Sequence, residues 1–408
     1  MIKRPATILV LLTGLNLLNY LDRLVVSAVL PKVQEELHLS NFMGGLLATV
    51  FLVGYFATSP IFGALGDKSS RKALIAFGVI VWSVATFASG LAKSAPTLLL
   101  ARAMVGVGEA SYATLAPTII DDVAPADRKG RWLAIFYVAS PVGAALGYLV
   151  GGFVESHWGW RSAFFVAGGP GILLALVCLL MVEPERKRTA AKADIRANVA
   201  VLARVPLYRQ AVLGYCAYTA AVGAFSYWAP KFLYARYALP LAKANFNFGV
   251  ITVVAGALGT AIGGSWGDRA QRALPKTSSP EQHERDAIRA LLRVCAIGSA
   301  VGAPFAVVCF LAPRPEIFFA SVFFCEVALF LSTSPINGAV LRAVPTELRA
   351  SAMALCIFAI HVFGDLWSPP LVGLLADNMP IAMAMMTLPV AIGVSAWLWW
   401  PKRVTATP

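Results

Sequence analysis

Twelve long apolar runs, each cut off by charged or turn-forming residues, leave this chain few ways to fold. They lie near 7–31, 43–66, 72–92, 96–120, 132–154, 161–182, 209–234, 246–267, 290–312, 316–341, 350–375 and 380–400. About 20 consecutive apolar residues suffice for a helix to cross a bilayer. The expected fold class is therefore an all-α polytopic membrane protein with twelve transmembrane helices. Composition agrees, at 58% hydrophobic and 13% charged, against roughly 45–50% and about 25% in soluble domains. The six cysteines all fall in apolar stretches, without CxxC or zinc spacing, and read as buried small hydrophobes. The basic start MIKRPATILVLL resembles a signal peptide, but no small-residue cleavage site follows cleanly, so an uncleaved first span is expected.

Orientation follows from where Lys and Arg fall. With the N-terminus inside, the termini and the loops after spans 2, 4, 6, 8 and 10 hold 25 of the 34 basic residues. Seven lie in external loops or at outer helix ends, and only Arg23 and Arg102 remain within spans. Both termini are expected in the cytoplasm, in a multi-pass protein of the cell (inner) membrane. This placement accounts for the net charge of +13 without nucleic acid as a partner. The long break after span 6 divides the chain into an N-terminal half (1–183), a basic linker (184–208) and a C-terminal half (209–408). The linker's Arg186, Lys187, Arg188, Lys192 and Arg196 suit either an interfacial helix on anionic lipid or a solvated connection.

Charges inside spans are the informative exceptions, since each costs roughly 2.5–3.5 kcal/mol at membrane depth even on the gentlest scale. In span 1, Asn16, Asn19, Tyr20 and Arg23 form one polar stripe at i, i+3, i+4 and i+7, with Asp22 beside it. In span 4, Arg102 and Glu109 lie two turns apart on one face, which Tyr112 extends. Span 11 repeats the stripe with His361, Gly364, Asp365 and Ser368, just before Pro369-Pro370 breaks the helix. His361 and Asp365 lack a third ligand nearby, so a His–Asp hydrogen bond is expected rather than a metal site. Glu326 in span 10 and the Tyr215–Thr219 face of span 7 complete the candidate cavity residues.

The two halves echo each other. GALGDKSSRK (63–72) ends span 2 and GGSWGDRAQR (263–272) ends span 8, matching Asp67 with Asp268. VAPADRKGR after span 4 and AVPTELRAS after span 10 match Pro125 with Pro345 and Arg128 with Arg349. Such repeats are a common plan for secondary transporters. GALGDKSSRK resembles the span 2–3 signature of the major facilitator superfamily, departing from it at Lys68 and Ser70. ARAMVGVGEA (101–110) resembles the superfamily's span 4 signature with its membrane arginine. NYLDR in span 1, RxxxGxGEASY in span 4 and HVFGDLWSPPLVG in span 11 together resemble the Spinster-like lipid transporters.

The resemblance implies two pseudo-symmetric six-helix halves, with spans 1 and 4 facing each other. It then pairs Asp22 with Arg102 and Arg23 with Glu109, or the crossed alternative. One reading is a structural ion-pair cluster. The other, which the resemblance favours, is proton coupling: an acid whose bridge opens away from water is more stable neutral and takes a proton, which re-pairing with arginine releases. Asn19, Tyr20, Tyr112, Tyr215, Thr219, Glu326, His361, Asp365 and Ser368 are then expected along the substrate cavity. Asp67, Arg71, Arg128, Asp268 and Arg349 are expected to act in conformational change or gating. The small-xxx-small runs Gly143/Gly147/Gly151 and Gly259/Gly263/Gly267 permit close helix approach. They suit either packing within a half or, by the resemblance, a sliding seam between spans 5 and 8 centred on Gly147 and Gly263.

No GxxxxGK[ST] phosphate loop is present, so ATP is not expected to supply the energy. No nucleophile–base order stands out either, and no cofactor beyond the proton is expected. The sequence thus reads as a secondary transporter, expected to be monomeric, and the resemblance implies proton coupling and an amphipathic lipid cargo such as a lysophospholipid or sphingoid phosphate. A carrier of small organic anions or drugs is the rival within transport, and a non-transporting membrane sensor or scaffold is the rival outside it.

Overall fold

The computed structural model describes residues 2, 4–125, 128–184, 195–275 and 279–401, with the backbone alone at 195–198 and 350. Six helices come first: α1 (Pro5–Leu37), α2 (Asn41–Lys68), α3 (Arg71–Leu91), α4 (Ala95–Val123), α5 (Lys129–Trp158) and α6 (Trp160–Leu179). A short α7 (Ile195–Leu202) precedes α8 (Pro206–Tyr237), α9 (Leu241–Arg272) and α10 (Pro280–Leu311). The last three spans are broken helices. α11 (Pro315–Phe330) gives way to α12 (Thr333–Arg342), and α15 (Ile381–Ala384) to α16 (Thr387–Trp399). α13 (Arg349–Ile360) passes through a π-helical turn, His361–Asp365, before α14 (Ser368–Ala376).

All twelve expected spans are thus helical among the described residues. Ten are long and apolar enough to cross a membrane by that measure alone. α4 and α8 have the length, at 29 and 32 residues, but carry polar side chains through their middles. Several helices overrun their apolar cores because local capping chemistry sets their ends. α1 starts with Pro5 in its first turn and stops at His38, whose φ of 51° is left-handed. The Ser40 hydroxyl then accepts the Met43 N–H and opens α2. In the linker, Arg186, Lys187, Arg188 and Lys192 lie outside the described residues, as does the side chain of Arg196; the backbone of Ile195–Leu202 is helical.

The chain forms two compact units. One comprises Met1–Ala190, Tyr227–Val250 and Pro369–Asn378; the other comprises Ala191–Ser226, Ile251–Ser368 and Met379–Pro408. In the first, α1 packs on α5, α2 on α4, and α3 on both α4 and α6. In the second, α10 packs on α11, α12 and α16. The halves expected at 1–183 and 209–408 follow chain order, whereas the units reassign two pieces of α8–α9 and α14. Polar anchors explain the reassignment. The Ser27 hydroxyl donates to the Tyr227 carbonyl and the Tyr227 hydroxyl to the Gly44 carbonyl, both at 2.6 Å. Asn245 donates to the Ala28 carbonyl at 3.0 Å, and Trp228 Nε1 to the Pro369 carbonyl at 2.9 Å.

At this end of the first unit, Asp377 accepts the Asn41 and Phe42 N–H groups at 2.7 and 3.0 Å, capping α2. Lys231 donates to the side chains of Gln34 and Asn41 and lies 5.6 Å over the Trp228 ring. Lys231→Met should cost about 1.5–3 kcal/mol, since it strands two polar partners of a charged donor. The expected readout is faster amide exchange at the α1–α2 turn and the start of α2, with α10 unchanged.

Two glycine expectations require correction. A Cβ at Gly147 would lie 2.6 Å from the Leu21 carbonyl oxygen of α1, and one at Gly263 would lie 2.1 Å from that of Leu331. At both positions the contact is that of packing within a half, the first of the two readings, and not of a seam between spans 5 and 8. α5 meets α9 through Gly152 instead, where a Cβ would lie 2.9 Å from the Cβ of Asn245. Glycine spacing signals close approach but does not name the partner helix.

Candidate functional site

The charged residues of α1 and α4 come together in the first unit as two ion pairs. Arg23 Nε lies 2.7 Å from Glu109 Oε2, and Arg102 Nη1 lies 3.3 Å from Asp22 Oδ1. Of the two pairings open in the sequence, this is the direct one. Asp22 and Arg102 are each 1% exposed and Glu109 is fully buried. Neighbouring positions 22 and 23 on a helix point about 100° apart, so one turn of α1 serves both partners on α4. Two opposite pairs leave the cluster neutral, which makes it tolerable at membrane depth.

The two pairs have different surroundings. Asp22 also accepts a hydrogen bond from the Thr86 hydroxyl of α3, closing its second oxygen. Arg102 stands 5.5 Å over the Phe51 ring. Arg23 is caged by aromatic faces, 4.9 Å from Tyr20, 5.0 Å from Phe51 and 5.3 Å from Tyr55. Its side chain nevertheless remains 20% exposed. Glu109 keeps one oxygen, Oε1, without a hydrogen-bond partner among the described residues. The Asp22–Arg102 pair is therefore enclosed, while the Arg23 side chain touches accessible space.

Sequence reasoning missed Thr86, Phe51 and Tyr55, because a threonine or aromatic in an apolar run carries no signal until a charge is packed on it. Two other expectations change. Tyr112 is buried, with its hydroxyl donating to the Leu12 carbonyl and its ring edge-on to Trp82. Asn19 is likewise buried, with Nδ2 unpartnered among the described residues. Both sit in the packed interior rather than along an open cavity, because neighbouring helices cover α1 at Asn19 and α4 at Tyr112. Tyr20 remains partly accessible beside Arg23.

In the second unit, His361 Nδ1 lies 2.9 Å from Asp365 Oδ1, the hydrogen bond expected from their i, i+4 spacing. The π-turn beneath them is marked by the Leu366 N–H donating to the His361 carbonyl at 2.9 Å. Its cause is local: Pro369 and Pro370 offer no N–H, so the ladder cannot continue in α-helical register. Asp365 then packs on Gly223 of α8, where a Cβ would lie 2.5 Å from its own Cβ. Ser368 is buried at the start of α14, with no hydrogen bond to its hydroxyl among the described residues. Tyr215 and Thr219 are half-buried, Tyr215 packing against Tyr218 and Trp399. Glu326 is buried and accepts from the Thr252 hydroxyl at 3.0 Å through Oε1, leaving Oε2 without a partner among the described residues.

The residues expected to gate differ between the repeats. Arg71 is buried, pairing with Asp122 at 2.7 Å and donating to Thr118 at 3.2 Å. Glu183 accepts the Arg71 backbone N–H at 2.8 Å and the Ser70 hydroxyl. Arg71 thereby ties the start of α3 to the end of α4 and the segment after α6. Among the described residues, its counterpart four residues after Asp268, Arg272, reaches back to the Asp268 carbonyl at 3.2 Å. Asp67, Asp268 and Arg128 are exposed, and Arg349 donates to the Leu341 carbonyl at 3.1 Å.

Residues 12–364 match the profile of the Major Facilitator Superfamily. The chain is 34% identical over 403 residues to Protein spinster homolog 1 of Homo sapiens, covering 92% of this chain and 74% of that protein. It is 31% identical over 435 residues to Probable sphingolipid transporter spinster homolog 2 of Arabidopsis thaliana, covering 96% of this chain and 86% of that one. Among solved structures it is similar to a bacterial homolog of the human lysosomal transporter Spinster, in an inward-facing and unoccupied conformation. That likeness has a TM-score of 0.84 at 20% identity and covers 97% of this chain and 96% of the other.

Proposed function

Because this chain belongs to the spinster branch of the Major Facilitator Superfamily, and so is a multi-pass membrane transporter, we propose that it carries a lipid-like amphiphile and drives it with protons. The observation that carries the coupling is the paired cluster of Asp22–Arg102 and Arg23–Glu109. A buried ion pair is weak evidence for stability, since desolvation offsets most of its attraction. Its use lies in switching. Glu109 is the proton carrier: when Arg23 leaves, a carboxylate buried among α-helices is more stable neutral, and it takes a proton. Return of Arg23 restores the ion pair and expels that proton. Asp22 follows the same logic with Arg102, but the Thr86 hydroxyl adds a hydrogen bond to that pair.

The cargo is an amphipathic lipid, a lysophospholipid or sphingoid phosphate; the Arabidopsis relative, a probable sphingolipid transporter, supports the sphingoid alternative. The concentration of Lys and Arg in the even-numbered loops supports cytoplasmic termini in a cell membrane, and a monomer suffices for the cycle. Purified protein in liposomes tests the reading. Lysophospholipid, sphingoid phosphate, a small organic anion and a drug-like amine are offered with and without a pH gradient. Flux of a lysolipid or sphingoid phosphate, accelerated several-fold by the gradient, is the expected result. Equal flux at both settings would remove the coupling, and flux of the organic anion or amine alone would remove the lipid. Movement of no cargo would leave a sensor.

A further inference from the structure

The second unit contains a basin of about 1150 Å³ at its basic end, formed by the starts of α8 and α10, the turn between α12 and α13, and the end of α16. Typical small-molecule sites occupy about 300–1,000 Å³, so there is room for a headgroup and part of a chain. Arg209, Arg285, Arg289, Arg342 and Arg349 contribute to its wall, against two carboxylates, Glu281 and Glu284. Two of these arginines are already engaged. Arg342 Nη1 meets both oxygens of Glu284 at 3.1 Å, and Arg289 pairs with Asp286 at 3.1 Å. Arg349 uses Nε on the Leu341 carbonyl. Arg209, Arg285 and Arg349 have no ion-pair partner among the described residues. Between the guanidinium groups the wall is apolar, with Leu213, Ile288, Val344 and Leu398.

We propose that this basin binds the phosphate headgroup of an anionic phospholipid from the surrounding leaflet, with one chain lying along Leu213, Ile288 and Leu398. Three guanidinium groups outside ion pairs, against the single carboxylate left over, Glu281, make the basin net positive, and a phosphate relieves the excess through paired N–H donors. The apolar strip distinguishes this from a site for a free ion, because a free phosphate leaves it uncovered. Basic pockets between helices on a cytoplasmic face are suited to anionic headgroups, and a leaflet rich in them supplies the ligand. The site is separate from the α1–α4 cluster, and lipid here would act as a resident ligand rather than cargo.

The full chain, purified in a neutral detergent, is titrated with short-chain phosphatidylglycerol, short-chain phosphatidylcholine or inorganic phosphate while its thermal unfolding is followed. Phosphatidylglycerol is expected to raise the midpoint saturably, and the other two to leave it within error. Arg209→Gln combined with Arg285→Gln should weaken that response at least tenfold. Arg269→Gln combined with Arg272→Gln removes two charges outside the basin and should leave it unchanged. Equal responses to both phospholipids, an equal response to inorganic phosphate, or equal losses in both double variants would overturn the proposal. Because the readout is binding alone, its failure says nothing of transport, and failed transport leaves it standing.

Discussion

Arg102→Ala is expected to destabilise the folded protein by about 3–5 kcal/mol, because it leaves the buried Asp22 carboxylate without its counter-charge. The Thr86 hydroxyl alone cannot neutralise it. The double variant Asp22→Asn with Arg102→Leu removes both charges and should recover most of that loss, measured as the unfolding midpoint in detergent. If Arg102→Ala unfolds no earlier than the wild type, the burial argument for this pair fails. Glu109→Gln separates stability from coupling more cleanly. Arg23, left without its carboxylate, still stacks on Tyr20, Phe51 and Tyr55 and reaches accessible space, so little stability should be lost. Cargo binding should persist while acceleration by a pH gradient disappears. Asp22→Asn should lose the same acceleration, though with a stability cost from the stranded Arg102. A Glu109→Gln protein that still responds to the gradient would end the proton-carrier assignment.

The second large effect concerns the glycines of the α4 motif. A Cβ at Gly106 would lie 2.0 Å from the Phe51 carbonyl oxygen of α2, and one at Gly54 would lie 2.3 Å from that of Ala103 in α4. Two residues further on, Gly108 meets the opposite neighbour: its Cβ would lie 2.5 Å from the Gly78 carbonyl oxygen of α3, and Gly78 returns the same 2.5 Å contact. Residues two apart on a helix face nearly opposite ways, so the GxG of this motif sandwiches α4 between α2 and α3. The obstructing atoms are backbone, which cannot rotate aside. Gly106→Leu should therefore cost at the top of, or beyond, the roughly 1–3 kcal/mol of ordinary overpacking. It should also shift Arg102 and Glu109, one turn away on the same helix. A normal unfolding midpoint and yield for Gly106→Leu would show that α2 and α4 approach less closely than this.

Legibility in the sequence varied with the range of the interaction that each feature depends on. The twelve spans were readable because hydrophobic length and helical spacing are local, and helix ends moved only where caps such as Ser40 lie outside the apolar run. The four charges were readable because a charge in lipid is conspicuous in one dimension. Their company was not: Thr86, Phe51 and Tyr55 look like any other residues of an apolar helix. Tyr112 and Asn19 read as lining a cavity from their stripe, yet neighbouring helices cover both. The π-turn at His361–Asp365 shows a mixed case, where Pro369-Pro370 marked a break but not its form.

By itself, then, the sequence determined that the chain spans a membrane many times, that its halves echo each other, and that four acids and two arginines sit at membrane depth. Those follow from hydrophobicity, period and charge, which act along the chain. The tertiary structure decided which acid meets which base, which glycine seats which helix, and which parts of α8, α9 and α14 join the first unit. These depend on contacts between residues far apart in the chain, such as Gly106 with Phe51 and Asp22 with Arg102. A helix offers the same face to many possible neighbours, and only packing selects one.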